Sequence, residues 1–82
     1  MKRIVVYFKE LPGSLLDHIN KDKFLTFTKD GVGKCNGIAC PRGIITMDLL
    51  NDHRDDDRTL KLTNLLETLS RNNQIFSYRT IR

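Results

Sequence analysis

The sequence predicts a small α+β domain in which an antiparallel sheet of about four strands carries helices. Three observations predict it. Residues rich in β-branched and aromatic side chains lie near both ends of the chain, and apolar residues alternate with polar ones in residues 23–29, which is typical of strands. Leucines spaced i, i+3, i+4, i+7 predict one main amphipathic helix. The order of the segments is compatible with a ferredoxin-like split βαβ arrangement.

The length and composition predict one soluble domain spanning residues 1–82. With 39% hydrophobic and 29% charged residues, the chain is too apolar to be disordered, and no apolar run approaches the roughly 18 residues of a membrane span. The apolar run after the basic start is too short for a signal peptide. We therefore expect a cytoplasmic protein without a membrane partner, in which the two cysteines stay reduced.

The N-terminal segment is predicted to form a strand and a short helix. Residues 3–8 are β-branched and aromatic, and both of their alternating faces are apolar, which favours a central strand. A helix is expected over residues 14–20, because Ser14 and Asp17 have the spacing of a capping box.

A hairpin is predicted at Asp30-Gly31, where a two-residue turn signal follows the strand over residues 23–29. The return strand would then cover residues 32–39. Its glycines weaken it and favour a bulged edge strand. Such an edge allows a homodimer through strand pairing.

The C-terminal half is predicted to hold the main helix, at about residues 57–71, and a closing strand over residues 75–81. Aspartates suit the N-terminus of that helix, and Asn72-Asn73 suits its C-terminus. The preceding segment 44–53 is ambiguous between strand and helix. Four leucines define the apolar face of the helix: Leu62, Leu65, Leu66 and Leu69.

The glycine-rich stretch 30–43 invites comparison with a phosphate-binding loop. The spacing of a nucleotide-hydrolysing P-loop is absent, because Lys34 is followed by cysteine rather than serine or threonine. A looser anion-contacting loop that uses Lys34 and Arg42 is retained as an interpretation.

A metal-like pattern overlaps this stretch. Cys35 and Cys40 are followed by His53 at a spacing similar to the first three ligands of a C2H2 zinc finger. Asp57 stands where a fourth ligand would lie, whereas structural zinc sites use cysteine and histidine. We expect no zinc or other cofactor. A degenerate C2H2-like zinc-binding domain is kept as the third hypothesis for the function, after the two hypotheses given below.

The net charge of +4 favours an anionic partner, either nucleic acid or an acidic protein surface. Cations with an interleaved aromatic residue on an open sheet face are typical of proteins that bind single-stranded RNA or DNA. The residues predicted to contact the nucleic acid or another partner are Arg3, Tyr7, Lys9, Lys34, Arg42 and Arg79.

No catalytic constellation is recognisable, so we predict a small basic binding protein that is not an enzyme. The second hypothesis is a protein-binding effector or inhibitor of the kind that a phage or other mobile element encodes. The small size and the composition suggest this hypothesis. The net positive charge suits an acidic protein surface as well as it suits a nucleic acid. The sequence alone therefore does not separate a nucleic-acid partner from a protein partner.

Overall fold

The structure is a computed structural model that describes residues 2–81, and within them the chain forms one four-stranded sheet and two helices. This is the α+β architecture that the sequence predicts. The elements are β1 (Lys2–Tyr7), α1 (Gly13–Lys21), β2 (Leu25–Cys35), β3 (Ile38–Met47), α2 (Arg54–Arg71) and β4 (Ser77–Ile81).

The strands lie in the order β2-β3-β1-β4, and each neighbouring pair is antiparallel. Each helix connects two strands that are separated in the sheet by one other strand. The arrangement is therefore of the split βαβ kind and is compatible with a ferredoxin-like fold. As predicted, β1 is a central strand. Within residues 2–81, neither helix is long and apolar enough to cross a membrane.

One face of the sheet forms the core with both helices. Alternation along β1 directs Ile4 and Val6 towards this core. The buried side chains of α1 and α2 belong to the same cluster, so both helices lie on the same side of the sheet. The helical members of the core are Leu15, Ile19, Leu62, Leu66 and Leu69.

The first helix begins one residue earlier than predicted, and the predicted capping box is wrong. Helix α1 starts at Gly13 after Pro12, and no side chain caps it. The amides of Leu15 and Leu16 both donate to the carbonyl of Pro12, each at 3.1 Å. Ser14 therefore lies inside the first turn rather than at the cap position.

The second helix begins at Arg54, three residues before the predicted start, because carboxylates organise the loop in front of it. Asp52 accepts a hydrogen bond from the amide of Arg54 at 2.8 Å. Asp55 reaches back and accepts from the amides of Leu50 and Asn51 at 2.7 and 2.6 Å. The ambiguous segment is thus a strand up to Met47 and a loop thereafter.

The half-buried Arg58 joins this loop to the rest of the fold. Its guanidinium donates to the carboxylate of Asp22 at 3.3 Å and to the carbonyl of Asp48 at 3.2 Å. It also lies 4.7 Å from the centre of the Phe24 ring. One side chain of α2 therefore holds the segments before β2 and after β3.

The predicted turn at Asp30-Gly31 is wrong, because the hairpin between β2 and β3 turns at Asn36-Gly37. Both turn residues have positive φ, 53° and 80°, as a type I′ turn requires. Asp30-Gly31 instead lies within β2 at a β-bulge, where Gly31 has a φ of 69°. The stretch 30–43 is therefore a strand hairpin rather than a flexible loop.

Cross-strand packing explains which of the two turn signals is used. The observed register places Leu25 opposite Met47 and Phe27 opposite Ile45. A two-residue turn at residues 30–31 would place the same two apolar side chains opposite Asn36 and Lys34. The observed pairing places Leu25 and Phe27 beside apolar partners and so buries their apolar surface. The predicted pairing would leave both side chains beside polar groups.

Gly43 is required where β3 passes beneath an aromatic ring of the core. A Cβ atom at this position would lie 2.3 Å from Cε2 and 2.4 Å from Cζ of Phe27. We expect Gly43→Ala to destabilise the fold by about 1–3 kcal/mol through overpacking. Urea denaturation measures this loss. Gly13→Ala is the control, because nothing lies within 4 Å of its added methyl group. Equal stability of the two variants would contradict the close packing of the Phe27 ring against Gly43.

Asp55 makes stability depend on pH. Hydrogen bonds from the amides of Leu50, Asn51 and Asp52 hold the pKa of Asp55 below its usual range. Such a carboxylate contributes stability above its unfolded pKa of about 3.9, and the contribution is lost as pH falls through the lower folded pKa.

We therefore expect Asp55→Asn to lower the unfolding midpoint at pH 7, and the difference from wild type to shrink below about pH 4. Urea denaturation at pH 7 and pH 3 measures both values. Asp56→Asn is the control, because Asp56 is exposed. A deficit of Asp55→Asn that is equally large at pH 3 contradicts the assignment.

Candidate nucleic-acid interface

The sheet face that points away from the helices is called the open face. Because Ile4 and Val6 point into the core, alternation places Arg3, Val5 and Tyr7 on the opposite side. The strand register then fixes their neighbours on the other strands. These neighbours are Thr26 and Thr28 on β2, Arg42, Ile44 and Thr46 on β3, and Ser77, Arg79 and Ile81 on β4.

Charge is distributed unequally between the strands and the helices. The four strands carry six cations and one carboxylate, whereas the two helices carry five of each sign. The excess positive charge of the described chain therefore lies in the sheet. The charged residues of the strands are Lys2, Arg3, Lys29, Asp30, Lys34, Arg42 and Arg79.

Arg3 and Arg79 form the exposed cationic part of the open face. Arg3 lies opposite Ile81, and Arg79 lies two residues before Ile81 on β4, so the two arginines are diagonal neighbours. Neither makes a salt bridge with any residue between 2 and 81. Their guanidinium groups are available to an anionic ligand.

A small apolar strip accompanies these cations. Val5 is only 3% exposed although it lies on the open face. Its cross-strand neighbours are Ile44 and Arg79. Because both helices lie on the other side, neighbouring side chains of this face must cover Val5, and long arginine stems are suited to this.

Tyr7 also lies on the open face, but part of its ring is covered. A Cβ atom built on Gly33 would lie 2.4 Å from Cε1 and 3.0 Å from Cδ1 of Tyr7, and 3.5 Å from Cδ of Arg42. The ring therefore extends across β3 to reach β2. Tyr7 is half-buried rather than presented flat to solvent.

Arg42 is on the open face and is already paired. Its Nη2 lies 3.1 Å from Oδ2 of Asp30, and its Nε donates to the carbonyl of Asp30 at 3.1 Å. The β-bulge at Asp30-Gly31 supplies both acceptors. This pair is partly exposed, so its net contribution to stability is about 0–1 kcal/mol and a competing anion can displace it.

The end of the hairpin curves over the open face. Sγ of Cys35 lies 3.7 Å from Oγ of Ser77, although β2 and β4 are the two outer strands of the sheet. A bulge increases the local twist of a strand, and the one at Asp30-Gly31 precedes this curved part. The hairpin end therefore bounds the open face beside Tyr7.

Tyr78 anchors β4 from the other side of the sheet. Its hydroxyl donates to the carboxylate of Glu67 at 2.7 Å, and this hydrogen bond raises the pKa of Tyr78. Because side chains alternate along β4, fixing Tyr78 against α2 directs Arg79 to the open face.

Two of the six predicted contact residues lie elsewhere. Lys34 alternates with Gly33 and Cys35, so its side chain points away from the open face. Lys9 follows the end of β1 and borders a groove that Leu11 and Lys29 also line. The structure thus brings together Arg3, Tyr7, Arg42 and Arg79, with Lys9 and Lys34 at the periphery.

The four residues of the zinc-like pattern do not form a cluster. Cys35 and Cys40 are free thiols that line one cavity at the hairpin end. His53 borders a groove beside Lys2, near the opposite end of the sheet. Met47, which pairs with Lys2, lies seven positions from Cys40 along β3, or roughly 23 Å of strand.

Asp57, at the fourth position of the pattern, pairs with Lys61 on α2 at 3.3 Å. Among residues 2–81, no group of three or more histidine, cysteine, aspartate or glutamate side chains is placed to hold a metal ion.

The cavity at the hairpin end was not predicted from the sequence. It is lined by Cys35, Asn36, Ile38, Cys40 and Phe76. The Asn-Gly pair at residues 36–37 is a strong turn signal and identifies the hairpin end. No sequence pattern indicates that Phe76, from the other end of the chain, lies beside it.

Comparisons of the chain with protein-family models, with curated proteins and with solved structures find no match. The function is therefore argued from the geometry and charge of the residues themselves.

The contact between Tyr7 and Gly33 generates a test of the site geometry. We expect Gly33→Ala to cost about 1–3 kcal/mol of stability, because the added methyl group collides with the ring. In a Tyr7→Ala background the same substitution should cost little. Urea denaturation of the four proteins of this cycle measures the coupling, and an equal cost in both backgrounds would show that the ring does not lie over Gly33.

Proposed function

We propose that this protein binds single-stranded RNA or DNA through the open face and has no catalytic activity. The observation that carries the proposal is the pair Arg3 and Arg79, two exposed arginines on a sheet face without a helix over it. Neither has an ion-pair partner within the described chain. The charge, exposure and arrangement of these residues support the proposal.

The open face offers separate groups to the phosphates and to the bases of single-stranded RNA or DNA. Guanidinium groups bind phosphate oxygens in a bidentate manner, which suits Arg3 and Arg79. Ile44, which is half-buried beside Val5, offers apolar surface to the faces of unstacked bases, and part of the Tyr7 ring is accessible on the same face. A single strand is favoured over a duplex because its bases are free to turn towards the sheet.

The peripheral cations have a lesser role in this proposal. Lys9 and Lys34 raise the positive potential around the open face and so increase the rate of association with a polyanion. Arg42 contacts phosphate only after it exchanges Asp30 for the ligand. We expect a cytoplasmic protein that uses no zinc or other cofactor for this binding.

The second candidate function is an effector or inhibitor that binds an acidic surface of another protein. The exposed apolar side chains of Ile38 and Phe76 favour it, because such residues often contribute to protein interfaces. Strand β2 also lies at an edge of the sheet, so edge pairing with a second copy would give a homodimer.

Electrophoretic mobility shift of single-stranded RNA, single-stranded DNA and duplex DNA tests the proposal. Binding of the single strands should be detectable at about 50 mM salt and should weaken steeply at about 200 mM, because phosphate contacts release counterions. If wild-type protein binds none of the three at the lower salt, the proposal is wrong and a protein partner becomes the better hypothesis.

Charge reversal locates the binding surface. We expect Arg3→Glu combined with Arg79→Glu to weaken single-strand binding about a hundredfold or more, because each lost charge-assisted contact contributes about 1.5–3 kcal/mol. The charge-matched control is Lys61→Glu combined with Arg71→Glu, on the exposed side of α2. Fluorescence anisotropy measures the affinities, and an equal loss in both double variants would mean that net charge, rather than the open face, binds the strand.

A further inference from the structure

A small cavity lies where the end of the β2–β3 hairpin approaches the beginning of β4. Its volume is about 140 Å³. Cys35 and Cys40 line its inner part, while Ile38 and Phe76 stand at its rim. The wall is thus mostly apolar, and Asn36 is the polar residue that lines it.

The rim exposes two large apolar side chains. Ile38 is 67% exposed and Phe76 is 47% exposed, whereas Cys40 is buried. Exposed apolar residues around a concave site are typical of ligand-binding surfaces. An aromatic ring at the rim suits a flat ligand.

The size of the cavity limits what it holds. An apolar cavity of about 150 Å³ holds one benzene molecule. The cavity therefore has room for a single six-membered ring, such as a pyrimidine base, whereas a larger bicyclic purine would protrude from it. Asn36, together with the Ser77 hydroxyl beside Cys35, offers hydrogen-bonding groups to the edge of such a ring.

The cavity adjoins the open face at Ser77, which contacts the lining residue Cys35. Ser77 lies beside the cavity, and Arg79 follows two residues later on the same face of β4, about 7 Å along the strand. Ile81, opposite Arg3, follows after a second step of the same length. These steps resemble the spacing of successive phosphates in an extended single strand.

The charges near the cavity also suit a polyanion. Between Gly31 and Pro41 the only charged residue is Lys34. The hairpin end therefore presents no carboxylate that would repel a phosphodiester backbone.

We propose that the cavity receives one pyrimidine base of a single strand whose phosphates lie on Arg79 and Arg3. This inference rests on the proposed function and adds to it a base-binding position and a preference for pyrimidines over purines. The strand runs along β4, and the base next to Ser77 turns into the cavity and stacks on Phe76.

The test uses fluorescein-labelled DNA octamers of thymidine, of deoxyadenosine and of abasic residues, measured by fluorescence anisotropy at about 50 mM salt. Wild type should bind the thymidine octamer at least about fivefold more tightly than the abasic one, given the usual strength of base–aromatic stacking. It should also prefer thymidine over deoxyadenosine. Phe76→Ala should bind the thymidine and abasic octamers equally, and Ile38→Ala should reduce the difference.

Leu60→Ala is the matched control, because Leu60 is an exposed apolar residue on α2, and it should bind as wild type does. The proposed base-binding role of the cavity is wrong if Phe76→Ala retains the preference for thymidine. It is also wrong if Phe76→Ala weakens binding of the abasic octamer as much as binding of the thymidine octamer. A wild-type preference for deoxyadenosine also overturns it. In each of these cases single-strand binding itself survives, whereas failure of wild type to bind any octamer removes both the cavity and the proposed function.

Discussion

The rest of the structure depends on one core cluster, which holds Ile4, Val6, Leu62 and Leu66. These fully buried side chains decide which face of β1 points inwards. Because side chains alternate along a strand, a shift of one residue would bury Arg3 and Tyr7 and expose the core. Burial of each such apolar side chain contributes roughly 1.5–3 kcal/mol, which makes the shifted register unfavourable. The identity of the open face is therefore a consequence of the core.

Charge is distributed unequally between the strands and the rest of the described chain. Carboxylates are concentrated on the helices and the loops, where they pair with cations or bind loop amides, as Asp55 does. The strands retain an excess of arginine and lysine. On the open face, Asp30 neutralises Arg42, while Arg3 and Arg79 stay without a partner in the described chain. These two unpaired arginines on the open face are the physical basis of the proposed binding of single strands.

Local patterns predicted the elements better than their pairing. The leucine spacing identified α2 and the alternation in β1 identified a central strand, because both signals are set by a single buried face. The turn was misplaced at Asp30-Gly31 because the choice between two turn signals depends on cross-strand packing. Alternation within β1 alone predicted that Arg3 and Tyr7 share a face, whereas Arg79 joins them through the pairing of β1 with β4. The cavity beside Phe76 was not predictable, since it arises where the curved hairpin meets a segment distant in sequence.

The most direct test of the central claim is nuclear magnetic resonance of the protein titrated with a thymidine octamer. The account predicts that the side-chain Nε–H signals of Arg3 and Arg79 and the methyl signals of Val5 and Ile44 shift, while the methyl signals of Leu62 and Leu66 and the amides of α2 stay unchanged. Shifts confined to α2, or saturating binding without any change at Arg3 and Arg79, would contradict the claim that the open face binds nucleic acid.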